Sequence, residues 1–71
     1  MQNIILNDPT NGLDYWLISY DSDGLVLTDS LDSNDALDFN SEQERDDAIT
    51  LINANPDNLA RVGRPGDRQP K

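Results

Sequence analysis

The stretch LDYWLISY, Leu13–Tyr20, decides how this chain is read. It is rich in aromatic and β-branched residues. Its side chains alternate, with Tyr15, Leu17 and Ser19 on one side and Trp16, Ile18 and Tyr20 on the other. A period of two is the pattern of a strand with two distinct faces. DSDG follows and LVLT returns, so Leu13–Tyr20 and Leu25–Thr28 are expected to pair as a hairpin. Gly24 supplies the positive φ that such a loop commonly needs. Upstream, NIIL (Asn3–Leu6) reads as a short strand ended by NDPTNG, in which Asp8-Pro9 and Asn11-Gly12 favour a reversal.

Downstream, FNSEQERDDAITLINANP carries a helix signal. Ser41 followed by Glu44 is a capping-box pattern, which satisfies backbone N–H groups that the first turn leaves unpaired. Ala48, Ile49, Leu51 and Ile52 gather on one helical face, with Gln43, Asp46, Thr50 and Asn53 opposite. Asn55-Pro56 should end the helix, because proline disfavours helical geometry at the residue before it. Leu59–Val62 is expected as a last short strand. GRPGDRQPK, with two glycines, two prolines and no apolar side chain, reads as a disordered basic tail over 63–71. The expected architecture is α+β over residues 1–62: a small antiparallel sheet of three or four strands in β-β-β-α-β order, packed against one helix. Its core should draw on Ile4, Leu6, Trp16, Ile18, Leu25, Leu27, Phe39, Ala48, Ile49, Ile52 and Val62. Alternation alone leaves open which face of the Trp16 strand is inside; Tyr15 and Leu17 on the other face would form a partly exposed apolar patch.

Seventy-one residues make one small domain with a limited core. Cysteine is absent, which removes disulfides and thiolate metal sites and fits a reducing cytoplasm. No apolar run approaches the roughly 20 residues that span a bilayer, and MQNIILNDP is too short and uncharged for a signal peptide. A soluble cytoplasmic protein is the expectation. Charge is the unusual property: 14 acidic residues against five basic ones, with no histidine. Residues 1–60 hold 13 acids and only Arg45 as a base, whereas residues 61–71 hold Arg61, Arg64, Arg68 and Lys71 against Asp67. An anionic body of this kind should be repelled by bare nucleic acid and by anionic membranes, and steered towards basic partners.

Known chemistries fit poorly. Aligning Gly24 to the sixth position of a calcium loop puts Ser19 and Ser30 where carboxylates are required, so DSDG reads as a turn and no metal site is expected. Without His or Cys, the commonest general base and the best nucleophile are missing, and a chain this small has little interior in which to raise a carboxyl pKa. NDPTNG lacks the lysine and spacing of a phosphate loop. No enzyme, catalytic residue or cofactor is expected. Gly63-Arg64-Pro65 matches only the centre of a minor-groove AT-hook, so a solvated, partner-contacting tail is the better reading.

The acidic run DSLDSNDALD places Asp29, Asp32, Asp35 and Asp38 three residues apart. In an α-helix these would drift across about half the circumference and repel, and Leu31 and Leu37 would fall on different faces. A loop through Asp32, then a short helical turn begun by Ser33 or Asn34, lets Leu37 and Phe39 drop into the core with the aspartates outward. Residues 29–47 contain eight acids and one base, more than solubility requires. Asp21, Asp23, Asp29, Asp32, Asp35, Asp38, Glu42, Glu44, Asp46 and Asp47 are therefore the candidate partner-binding residues.

In size, acidity and lack of catalytic residues, the chain resembles phage-encoded DNA-mimic inhibitors of the anti-restriction and anti-CRISPR type. The layout around Asn34–Glu42, following a DG hairpin, is similar to small phage proteins with a strand-hairpin-helix plan. The resemblance implies a protein that inhibits a nucleic-acid-handling host protein, such as a nuclease, by occupying its basic nucleic-acid-binding surface. The alternative is a phage or mobile-element interaction module anchored by Tyr15, Trp16 or Leu17, with the acidic face serving only solubility.

Overall fold

The structure is a computed structural model that describes residues 2–58 and 60–68. Four strands, β1 (Gln2–Asp8), β2 (Leu13–Tyr20), β3 (Val26–Ser30) and β4 (Val62–Asp67), form one antiparallel sheet in the order β3-β2-β1-β4. Helix α1 (Glu42–Ala54) lies between β3 and β4 in the chain and packs on one face of the sheet. The α+β class and the β-β-β-α-β order read from the sequence are those of the protein.

Local chemistry sets the boundaries. Asp8 closes the first reversal by accepting from the Thr10 amide at 2.9 Å and its hydroxyl at 2.6 Å, and Gly12 turns the chain at φ 71°. Asp21 does the same for the hairpin, accepting from the amides of Asp23 and Leu25 at 2.9 and 3.0 Å, with Gly24 at φ 82°. Ser41 caps α1 by accepting from the Glu44 amide at 3.2 Å; the Glu44 carboxylate reaches back to the amide of Asn40 at 3.3 Å. Asn55 ends the helix ahead of Pro56, as expected.

The helix side of the sheet presents Ile4, Leu6 and Leu17, which form the core with Ala48 and Ile52 of α1. Val26, Leu37, Phe39 and Ile49 pack around it. The face of β2 toward the helix is thus the Tyr15–Leu17 face. Trp16 lies on the opposite face, paired across from Ile5, and is still only 8% exposed. Its indole N–H donates to the Leu31 carbonyl at 3.1 Å.

Three core expectations are corrected: Leu25, Leu27 and Val62 are 49%, 59% and 57% exposed, while Leu17, on the face that alternation left open, is fully buried. For the hairpin the cause is register: Leu17, which faces the helix, pairs with Thr28, so Val26 two residues away faces it too and Leu27 does not. A bulge between Leu17 and Ser19 brings Tyr20 opposite Val26 on that side. Val62 pairs with Asn7 on the helix-free face.

The last strand is also displaced. It was expected at Leu59–Val62 with a disordered tail after it; it runs Val62–Asp67, so residues 63–67 of that tail are sheet. Leu59 and residues 69–71 of the expected tail lie outside the described residues. The edge position explains why a glycine- and proline-rich segment can be a strand. Gly63 turns its N–H and C=O away from β1 to the side chain of Asn53 on α1, at 2.9 and 3.2 Å. Pro65, two residues on, has the same outward orientation, so its missing N–H costs no ladder bond. Gly66 lets β4 approach closely: a Cβ there would lie 2.7 Å from Ile5 Cγ1 and 3.0 Å from the Trp16 ring.

Candidate functional site

All ten acidic residues singled out in the sequence are exposed. Three elements present them. Asp21 and Asp23 sit on the β2–β3 turn, which is tied to the end of α1 by Asn55 and Asn58 donating to the carbonyls of Asp23 and Gly24 at 2.9 and 2.5 Å. Glu42, Glu44, Asp46 and Asp47 occupy the first half of α1, where negative charge opposes the helix dipole favourably. Asp29, Asp32, Asp35 and Asp38 run from the end of β3 through the loop to α1.

The helical turn expected from Ser33 or Asn34 does not form, and residues 35–38 carry no helix. Ser30 and Ser33 accept from the amides of Asp32 and Asp35, each at 3.1 Å. Such local bonds compete with helical ones. The loop then hydrogen-bonds to both central strands past the end of their pairing: the Leu37 amide donates to Leu17 and the Phe39 amide to Gln2, each at 2.8 Å. Leu37 and Phe39 turn to the core, as expected, and Asp38 turns away.

Asn3 fixes this arrangement. It is fully buried, and its side-chain amide donates to the Leu37 carbonyl at 2.8 Å and to Asp38 Oδ1 at 2.7 Å. Its carbonyl oxygen accepts from the Arg68 amide at 2.8 Å. Arg68 in turn reaches Asp38 Oδ2 at 3.1 Å and the carbonyl of Asn34. One buried asparagine thereby joins the acidic loop to the end of β4. Sequence reading missed it; a polar residue inside an apolar strand signal was the available clue.

The four described arginines are spent within the chain. Arg45 pairs with Asp46 at 3.1 Å, Arg64 with Asp14 at 2.7 Å and Arg68 with Asp38 at 3.1 Å. Arg61 lies 3.7 Å from Asp8, donates to Thr28 Oγ1 at 2.6 Å and stacks 5.1 Å over the Tyr15 ring. Arg64 and Arg68, expected in a solvated tail, are thus held by acids of their own chain, with Arg64 still about half exposed. The hydrogen bonds from Thr10, and then Arg61, hold the Asp8 carboxyl below its usual range; Asn7, and then Arg64, do so for Asp14. Asp21, Asp23, Asp29, Asp32, Asp35, Glu42, Glu44 and Asp47 have no arginine within ion-pair distance among the described residues.

Of the apolar anchor expected at Tyr15, Trp16 or Leu17, only Tyr15 reaches the surface. Leu17 is in the core, Trp16 is buried, and Tyr15 is half-buried beneath Arg61. An aromatic surface appears elsewhere. Tyr20 and Phe39, ring centres 6.3 Å apart, line a shallow open groove of about 330 Å³ with Glu44, Asp47, Ala48 and Leu51 of α1. The 44-47-48-51 spacing of one helix face was legible in the sequence. The bulge that turns Tyr20 towards it was not.

Among the described residues, no group of three or more acidic side chains is arranged to hold a metal ion, and no helix is long and apolar enough to cross a membrane. Compared with protein-family models, curated proteins and solved structures, the chain has no match.

Proposed function

We propose that this chain is a cytoplasmic binding protein that occupies the basic nucleic-acid-binding surface of a nucleic-acid-handling protein, such as a nuclease, and so inhibits it. The observation that carries this reading is the asymmetry of charge use. Each described arginine lies within 4 Å of a carboxylate of its own chain, while eight outward-facing carboxylates of the candidate set have no such partner. The net charge of −9 is therefore spread over the exterior. Its size is commensurate with the ligand it would replace: proteins on DNA commonly make about 6–10 phosphate contacts. The longest dimension, 34 Å, compares with the roughly 34 Å of one duplex turn. Tethering of the acidic loop through Asn3 and Arg68 holds the charges in fixed positions, which limits the entropy lost on binding.

Pull-down from source-cell lysate, repeated with excess duplex DNA and at rising salt, tests the reading. Partner capture should be lost to DNA competition and should fall steeply with salt. Changing Asp29, Asp32 and Asp35 together to Asn should weaken capture, while Asp38 is left in place for its bonds to Asn3 and Arg68. A partner that DNA does not displace, or that binds the triple variant equally well, refutes it. The burial of Trp16 and Leu17 narrows the alternative of an aromatic-anchored module to Tyr15, which is half-buried beneath Arg61.

A further inference from the structure

We propose that the groove between Tyr20, Phe39 and the Glu44–Leu51 face of α1 is a receptor for an arginine side chain presented by a basic partner. The inference rests on the partner being basic, as above, but it names a site that charge alone does not pick out. Glu44, Asp47, Ala48 and Leu51 stand at i, i+3, i+4 and i+7, so they form one wall of the groove, acidic at its helix-start end and apolar at the other. Opposite them stand two aromatic rings. Leu51 on this wall and Tyr20 opposite it are 38% and 36% exposed and open to a ligand, while Ala48, 3% exposed, closes the floor.

This sequence of surfaces matches an arginine from stem to head. The methylene stem covers the apolar Leu51 end, and the flat guanidinium stacks on a ring of the Tyr20–Phe39 pair while donating to Glu44 and Asp47. At about 330 Å³ the groove is at the low end of ligand-site volumes, room for a side chain rather than for a helix. The carboxylates retain acceptor capacity. Glu44 takes one long bond from the Asn40 amide at 3.3 Å, and Asp47 takes one from the Gln43 side chain at 2.9 Å. Neither has an arginine partner among the described residues. An anionic peptide would be repelled here, and an aliphatic one would leave both carboxylates without a counter-charge.

The test is an NMR titration of the ¹⁵N-labelled full chain with N-acetyl-argininamide at low salt, with N-acetyl-lysinamide in parallel. The expected dissociation constant is on the order of 1 mM or weaker, with arginine tighter than lysine. Shifts should concentrate on Tyr20, Phe39, Glu44, Asp47, Ala48 and Leu51. Asp47→Asn should weaken binding about three- to fivefold, whereas Asp57→Asn, an equal loss of charge elsewhere, should leave it unchanged. Equal response to both ligands, shifts spread over Asp29–Asp35, or equal effects of the two variants would overturn the proposal, leaving only diffuse counter-ion attraction. Because the wild-type shift map decides on its own, a poorly folded variant does not rescue the idea. The lysate experiment is independent: groove shifts without DNA competition sink the mimic alone, and DNA-displaceable capture with a silent groove sinks the receptor alone.

Discussion

Replacing Asn3 by leucine should release the acidic loop from the sheet. The side chain is fully buried and makes three hydrogen bonds, two donated to Leu37 and Asp38 and one accepted from the Arg68 amide. A neutral bond contributes about 1 kcal/mol net and one to a charged group about 1.5–3 kcal/mol. The Asp38 carboxylate is exposed and can rehydrate, which puts its share near the low end. The Leu37 carbonyl, facing a leucine, loses the Asn3 donor outright, and the Arg68 amide loses its bond to Asn3. The expected cost is about 3–4 kcal/mol. At about 0.05–0.15 kcal/mol per residue, the whole domain has about 4–11 kcal/mol to lose. Urea denaturation followed by Trp16 fluorescence measures the difference, since the indole is buried and bonded to Leu31. Hydrogen exchange locates it: the Leu37 and Phe39 amides should lose protection before those of β1 and β2. A loss under about 1 kcal/mol at unchanged denaturant slope would show that Asn3 does not hold the loop.

Two further perturbations probe the rest of the fold. Gly24→Ala combines φ 82° with a Cβ placed 2.8 Å from the Leu51 carbonyl oxygen, and should cost about 2–3 kcal/mol in thermal or urea denaturation. Gly12→Ala, at φ 71° with nothing within 4 Å, should cost only the backbone share of about 1–2 kcal/mol; equal losses would contradict the close contact between turn and helix. Acid should destabilise the protein in a set window, because the Asp8 and Asp14 carboxyls are held below their ordinary value of 3.8 in the folded state. Their contribution is complete above that value and is lost as pH falls through the lower folded values, so Asp14→Asn should flatten the acid limb of a stability–pH curve.

The comparison of sequence with structure separates along physical lines. Local chemistry was legible. Two-residue alternation marked Leu13–Tyr20 as a strand, Ser41 and Glu44 marked the helix start, and Asn55-Pro56 marked its end, because each signal acts within a few residues. Burial of Leu37 and Phe39 with the aspartates outward also followed from residue type alone. The Val62–Asp67 strand was hidden because its two glycines and one proline carry the local signature of disorder. Only the side chain of Asn53, the ladder with β1 and the Ile5–Trp16 surface make them suitable for a close-packed edge.

Composition by itself determined the −9 charge and the absence of thiol and imidazole chemistry, and local pattern determined the single small α+β layer. Tertiary structure alone decided which face of β2 meets the helix, because alternation has no preferred sign until a second layer packs on it. A bulge at Ile18 then moved Tyr20 to the helix side, and long-range pairing assigned Arg61, Arg64 and Arg68 to acids of their own chain, while Arg45 pairs with its neighbour Asp46. Residue counts give total charge, but which charges remain for a partner depends on contacts such as Arg64–Asp14 and Arg68–Asp38, 50 and 30 residues apart in the chain.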